Sequence, residues 1–145
     1  MNKSPKYDED SYSWFFHTAQ LLREKRMNEI DIDHLIEEME DMGKSYEKEL
    51  INRLTILVAH LLKWQYQSTM KGHSWKYTII EQRDQIVEHL RENPGLKSKT
   101  TECLKQAYKY AISRAAKETG LESKIFPTEC PYTWEQIMNN DFYPE

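Results

Sequence analysis

The chain has 145 residues, 39% of them hydrophobic and 30% charged, with a formal net charge of −4. That is length enough for one helical or mixed domain with a real core, needing neither a metal nor a disulfide to fold. The charge balance argues against a protein built to coat nucleic acid, which needs clustered Lys and Arg, and no run approaches the roughly 18 apolar residues of a membrane span.

The opening MNKSPKYDEDSYSW has no continuous apolar stretch of the kind a secretory leader carries. Cys103 and Cys130 are too few for a disulfide framework and lie in no CxxC or finger spacing, so a reducing, cytoplasmic compartment is expected. Charge is unevenly spread. Residues 1–70 hold 9 basic and 13 acidic side chains, residues 71–118 hold 10 and 6, and residues 119–145 hold 1 and 5.

A first helix is predicted from about Asp10 to Arg26, with Tyr12, Phe15, Phe16, Ala19 and Leu22 as its apolar face. Asp8 or Asp10 caps it, and LREKR sets Arg23, Lys25 and Arg26 at its negative end. From Asp31 to Gln67 apolar residues keep helical phase: Ile32, Leu35, Ile36, Met39, Met42, Tyr46, Leu50, Leu54, Leu57, Leu61 and Trp64. Asp31 or Asp33 caps this second helix, whose first third is acidic and whose LTILVAHLLKW end is apolar on nearly every side. Gly43 costs about 1 kcal/mol in a helix interior, yet the phase runs through it. An unbroken helix is therefore expected, with Gly43 letting a neighbour approach closely.

Ser68 to Ser74 reads as a turn, and Ser74 as the cap of a third helix with Trp75, Ile79, Gln82, Arg83, Ile86 and Leu90 inside. Asn93-Pro94-Gly95 stops it. A fourth helix follows from about Ser98 to Glu118, with Leu104, Ala107, Tyr108, Ala111, Ile112 and Ala115 inside and Gly120 as its left-handed stop. Its Lys97, Lys99, Lys105, Lys109, Arg114 and Lys117 read as a solvated face. Pro127, Pro131 and Pro144 punctuate an aromatic tail in which Thr133 and Gln136 have capping-box spacing for a short helix. The expected fold is all-α: a single domain over 1–145, an antiparallel bundle of four main helices with a long central second helix and the tail packed across it.

Five stretches in order, YDEDSYSW, DIDHLIEEMEDMGKS, HLLKWQYQ, SWKYTIIEQR with NPGLK, and FPTECPYTWEQI with DFYP, carry a resemblance to the bacterial domain of unknown function family DUF29. It covers nearly the whole chain. Met138 and Tyr143 stand where that family's pattern leads one to expect leucine and tryptophan. The resemblance implies a small helical bacterial domain and no established activity.

Four groups of residues are candidates for chemistry or recognition. His34, Glu37, Glu38 and Asp41 lie within one or two turns and could share a divalent metal, although the chain has neither Glu-x-x-His nor HExxH, and carboxylates at a helix start are favoured by its dipole in any case. His60 falls in the apolar end of the second helix, and hairpin pairing sets it opposite Gln82, where a hydrogen bond would satisfy it. Arg53 and Arg83 both fall on core faces and need acceptors, expected to be carboxylates, with an anion pocket as the alternative. Trp64, Tyr66, Trp75 and Tyr77 cluster round the turn between helices two and three, as core or as an interface.

A second helix about 54 Å long at 1.5 Å per residue exceeds what a compact domain of this size needs. Part of it must protrude or be covered. The leading expectation is thus a noncatalytic protein without a cofactor, acting through a protein partner or as a homo-oligomer, away from nucleic acid and membrane. The competing one is a metal- or anion-binding helical-bundle enzyme.

Overall fold

The computed structural model describes residues 4–67, 69 and 71–145. Among them it is all-helical, with no strand, and contacts group the chain into two compact units, Met1–Lys44 and Ser45–Glu145. Helix α2 contributes to both.

The first unit holds α1, Ser11–Arg23, and the opening turns of α2, Ile32–Tyr66. Asp10 caps α1, its carboxylate accepting from the Ser13 amide at 3.1 Å. The helix stops a turn earlier than its charge pattern suggests. Lys25 takes a left-handed φ of 58°, the Lys25 amide donates to the Leu22 carbonyl and the Arg26 amide to that of Leu21. This pair of bonds is the closure that glycine usually provides at a helix end, here built on a lysine.

The inward face of α1 is Trp14, Thr18 and Leu21, not the expected Tyr12, Phe15, Phe16 and Leu22, which are all exposed. A helix apolar nearly all round offers periodicity two phases. The bulky Trp14 decides between them, meeting the Tyr7 ring edge-on at 5.0 Å and the His34 ring at 6.5 Å.

At the start of α2 the Asp31 carboxylate accepts from the His34 amide at 3.3 Å, as an N-cap should. The helix then runs unbroken through Gly43. No neighbour approaches there, however: a Cβ added to Gly43 would have nothing within 4 Å. The close packing expected at that glycine is absent.

The second unit is a bundle in which the C-terminal half of α2 packs against α3, His73–Glu92, and α4, Thr100–Thr119. Leu50, Leu54, Leu57, Val58, Leu61 and Leu62 are fully buried against Ile79, Ile86, Ala107, Ala111 and Ala115. Each buried leucine or isoleucine contributes about 1.5–3 kcal/mol relative to exposure, while the alanines of α4 let that helix lie close.

Gly72, in extended conformation, precedes α3 in place of the expected Ser74 cap. Ser68 and Met70 of the expected turn lie outside the described residues. A 3₁₀ helix, Pro94–Lys99, buries Leu96 and delays α4 to Thr100, and Gly120 closes α4 at φ 78°. In the tail, the Thr133–Gln136 capping box starts α5, Trp134–Met138. Phe126, Tyr132 and Ile137 bury the tail in the bundle core. No helix among the described residues is long and apolar enough to cross a membrane.

Candidate functional site

Polar side chains inside the second unit form three separate groups. Around His60, Nδ1 faces the Ile56 carbonyl at 2.8 Å and Nε2 faces Lys63 Nζ at 3.5 Å. The tautomer that donates to Ile56 leaves Nε2 to accept from the lysine. Lys63, itself buried, donates to Glu118 at 2.9 Å and lies 4.8 Å from the centre of the Trp75 ring. Burial pushes the His60 pKa down. Burial would raise that of Glu118, but the Lys63 bond and the charges of Lys63 and Arg114 outweigh it and hold it low.

His60 therefore does not bond Gln82 as hairpin pairing suggested. The Gln82 carbonyl oxygen accepts instead from Arg53 at 3.4 Å, and Arg53 also meets Glu49 at 3.2 Å. Arg53, two turns before His60 on α2, is the residue that comes opposite Gln82. Next to Arg53, Glu49 lies 3.2 Å from His89 Nδ1, while His89 Nε2 donates to the Tyr46 carbonyl at 2.9 Å.

Arg83 is the largest side chain among the fully buried ones. Its Nε donates to the Ile137 carbonyl at 2.7 Å, one terminal nitrogen to Phe142 at 2.8 Å and the other to Asn140 at 3.5 Å. The expected carboxylate partner is replaced by backbone. The reason is geometric: the carbonyls that follow the single turn and a half of α5 have no helical partners and converge on one guanidinium. Burial lowers the Arg83 pKa, offset by Tyr143 and Asp141.

Three of the four aromatic interface candidates serve the fold. Trp64 packs on Tyr143 at 5.0 Å, Tyr66 meets Phe126 edge-on at 5.2 Å, and Trp75 lies beneath Lys63. Only Tyr77 of the four is exposed, at 72%.

In the first unit the acidic histidine cluster is drawn apart. His34 Nδ1 bonds Asp31 at 2.5 Å and its ring stacks on Tyr7 at 4.2 Å, and the bond to Asp31 raises its pKa. The Tyr7 hydroxyl donates to Glu38, which with burial pushes that phenol up to about 12. His34, Glu37, Glu38 and Asp41 do not converge, and no metal-holding group of three His, Cys, Asp or Glu exists among the described residues.

The consequence for α2 is an inverted orientation. His34 and Glu38, polar and one turn apart, face Tyr7 and Trp14, whereas Ile32, Ile36 and Met39 are 48%, 51% and 63% exposed. At 100° per residue the midline of Ile32, Ile36, Met39 and Gly43 lies roughly 150° round the helix from that of His34 and Glu38. On α1, Tyr12 and Phe16 likewise stand roughly opposite Trp14, their rings 5.1 Å apart. Both helices of this unit turn an apolar face outward.

The family model described as domain of unknown function DUF29 matches residues 6–143. The chain belongs to the DUF29 family. No curated protein and no solved structure matches it.

In this DUF29 chain, Lys63, Glu118, Glu49, His89 and Tyr7 are site-forming residues that sequence reasoning passed over. Lys63 had a signal, a lysine one turn from His60 in an otherwise apolar run. So had His89, three residues after Ile86 on the inner face of α3. The expected basic stripe of α4 is solvated as read, with Lys105 and Lys109 exposed at the mouth of a cavity of about 530 Å³ walled by Tyr108, Tyr132 and Trp134.

Proposed function

We propose that this is a noncatalytic protein that works by protein contact, with itself or a partner, through the outer apolar faces of the Met1–Lys44 unit. One observation carries the reading. Of fifteen large hydrophobic residues exposed among the described residues, nine fall in the first 44: Tyr12, Phe15, Phe16, Leu22, Met27, Ile32, Ile36, Met39 and Met42. Scattered exposed apolar residues are ordinary, but all of these except Met27 lie on one face of α1 or of α2, and that concentration is the mark of a surface meant to be covered. The polar groups of the second unit support the same reading, since each is satisfied by a neighbour and buried side-chain polar atoms lack no partner among the described residues.

The two cysteines are free, Cys103 buried and Cys130 half-buried. They support placement in a reducing, cytoplasmic compartment.

The test is light scattering after size exclusion, with binding of an apolar dye, on the full chain and on Phe16→Asp with Met39→Asp. Wild type is expected to self-associate, or to stay monomeric and bind dye, and the variant to lose whichever is seen. A strict monomer that binds no dye would overturn the proposal.

A further inference from the structure

We infer that the outward face of the first three turns of α2 receives a basic amphipathic helix from a partner protein. This rests on the interaction reading above and names the partner's chemistry. Ile32, Ile36, Met39 and Gly43 follow one another at intervals of four, three and four, the repeat of a helix–helix seam. Gly43 lies on that seam with nothing within 4 Å of its missing Cβ, so an incoming helix can come close there. Met39 adds an unbranched, polarizable side chain that adapts to its partner.

The charge beside the seam selects what can dock. Asp33 and Glu40 stand roughly 90° from its midline and Glu37 a little farther round. All three are exposed, and none forms an ion pair with a described residue. The unit as a whole carries 11 acidic and 6 basic side chains, a net −5. A second copy of this face would set carboxylate against carboxylate. A helix whose apolar seam is flanked by Lys or Arg would pair those charges instead, gaining steering and register.

The probe is a synthetic helical peptide of three heptads, leucine on its seam and lysine on its flanks, titrated calorimetrically into the full-length protein beside a version with glutamine flanks. The lysine peptide should bind about tenfold or more tightly than the glutamine one, an advantage that shrinks as salt rises. Met39→Asp and, separately, Ile36→Asp should abolish binding even though each adds negative charge, which separates docking from general attraction. Asp33→Asn with Glu40→Gln should erase the lysine advantage. Equal binding of the two peptides, or full binding by both aspartate variants, would overturn the inference. Failure here alongside self-association or dye binding abolished by Phe16→Asp with Met39→Asp leaves the broader interaction reading standing; a monomer without dye binding fells that reading whatever the peptides do.

Discussion

Replacing Arg83 with methionine tests how the tail is held. Methionine keeps most of the apolar stem in the core but removes all three donors. The bonds to Ile137 and Phe142, at 2.7 and 2.8 Å, are of good length, and that to Asn140 at 3.5 Å is marginal. Two bonds from a charged donor contribute about 1.5–3 kcal/mol each. Against this stands the desolvation of the guanidinium, the same effect that lowers its pKa, and a cost that methionine would relieve. The net loss should be about 2–3 kcal/mol, lowering Tm by roughly 7–10 °C for a chain of this size. Hydrogen exchange should show the stretch around residues 137–142, whose carbonyls accept from Arg83, opening ahead of the bundle. Arg83→Lys should fall between, because a single ammonium cannot reach two carbonyls along a planar fork. A methionine variant within about 0.5 kcal/mol of wild type, with the tail equally protected, would refute the reasoning, since that is the range of an ordinary surface change.

Two backbone positions call for opposite exchanges, each stabilising. Gly43→Ala, in open space within α2, should stabilise by about 0.5–1 kcal/mol in thermal unfolding, and Lys25→Gly, at φ 58°, should stabilise by about 1 kcal/mol. His60 has its pKa lowered on folding, so its neutral form contributes stability that is full above the ordinary value of about 6.5 and is lost as pH falls through the folded value. Denaturation between pH 7 and 5 should therefore steepen in wild type and flatten in His60→Leu; identical slopes would contradict the buried assignment. Spectrophotometric titration should find two of the nine tyrosines, Tyr7 and the buried Tyr108, ionising near pH 12, of which Glu38→Gln moves only Tyr7 toward its ordinary value. No change in that variant would remove the Tyr7–Glu38 bond from the account.

What the sequence made legible were features set by local chemistry. The uninterrupted α2, the Thr133–Gln136 capping box, the Gly120 stop and the buried alanine face of α4 follow from period and from the φ preference of glycine. Register between helices was not legible, because hairpin pairing depends on how many residues the connection absorbs, and a shift of two turns gave Gln82 to Arg53 rather than His60. The phase of α1 was not legible either, since Trp14 and Phe16 offer equally apolar faces and only the Tyr7 and His34 rings break the tie. The acceptors of Arg83 were missed because the sequence advertises carboxylates, whereas backbone carbonyls have no letter of their own.

Holding the tail by its backbone decides how the tail tolerates change. Arg83 holds a path of the chain, not a set of side chains, so the exposed Asn140 can be exchanged for other residues without touching the clasp. Removing one residue between Ile137 and Phe142 is a different matter. The two well-placed carbonyls would no longer arrive together at a guanidinium whose fork has fixed span, and a buried positive charge would be left half-answered. In this stretch spacing is the information, and length is what a variant must keep.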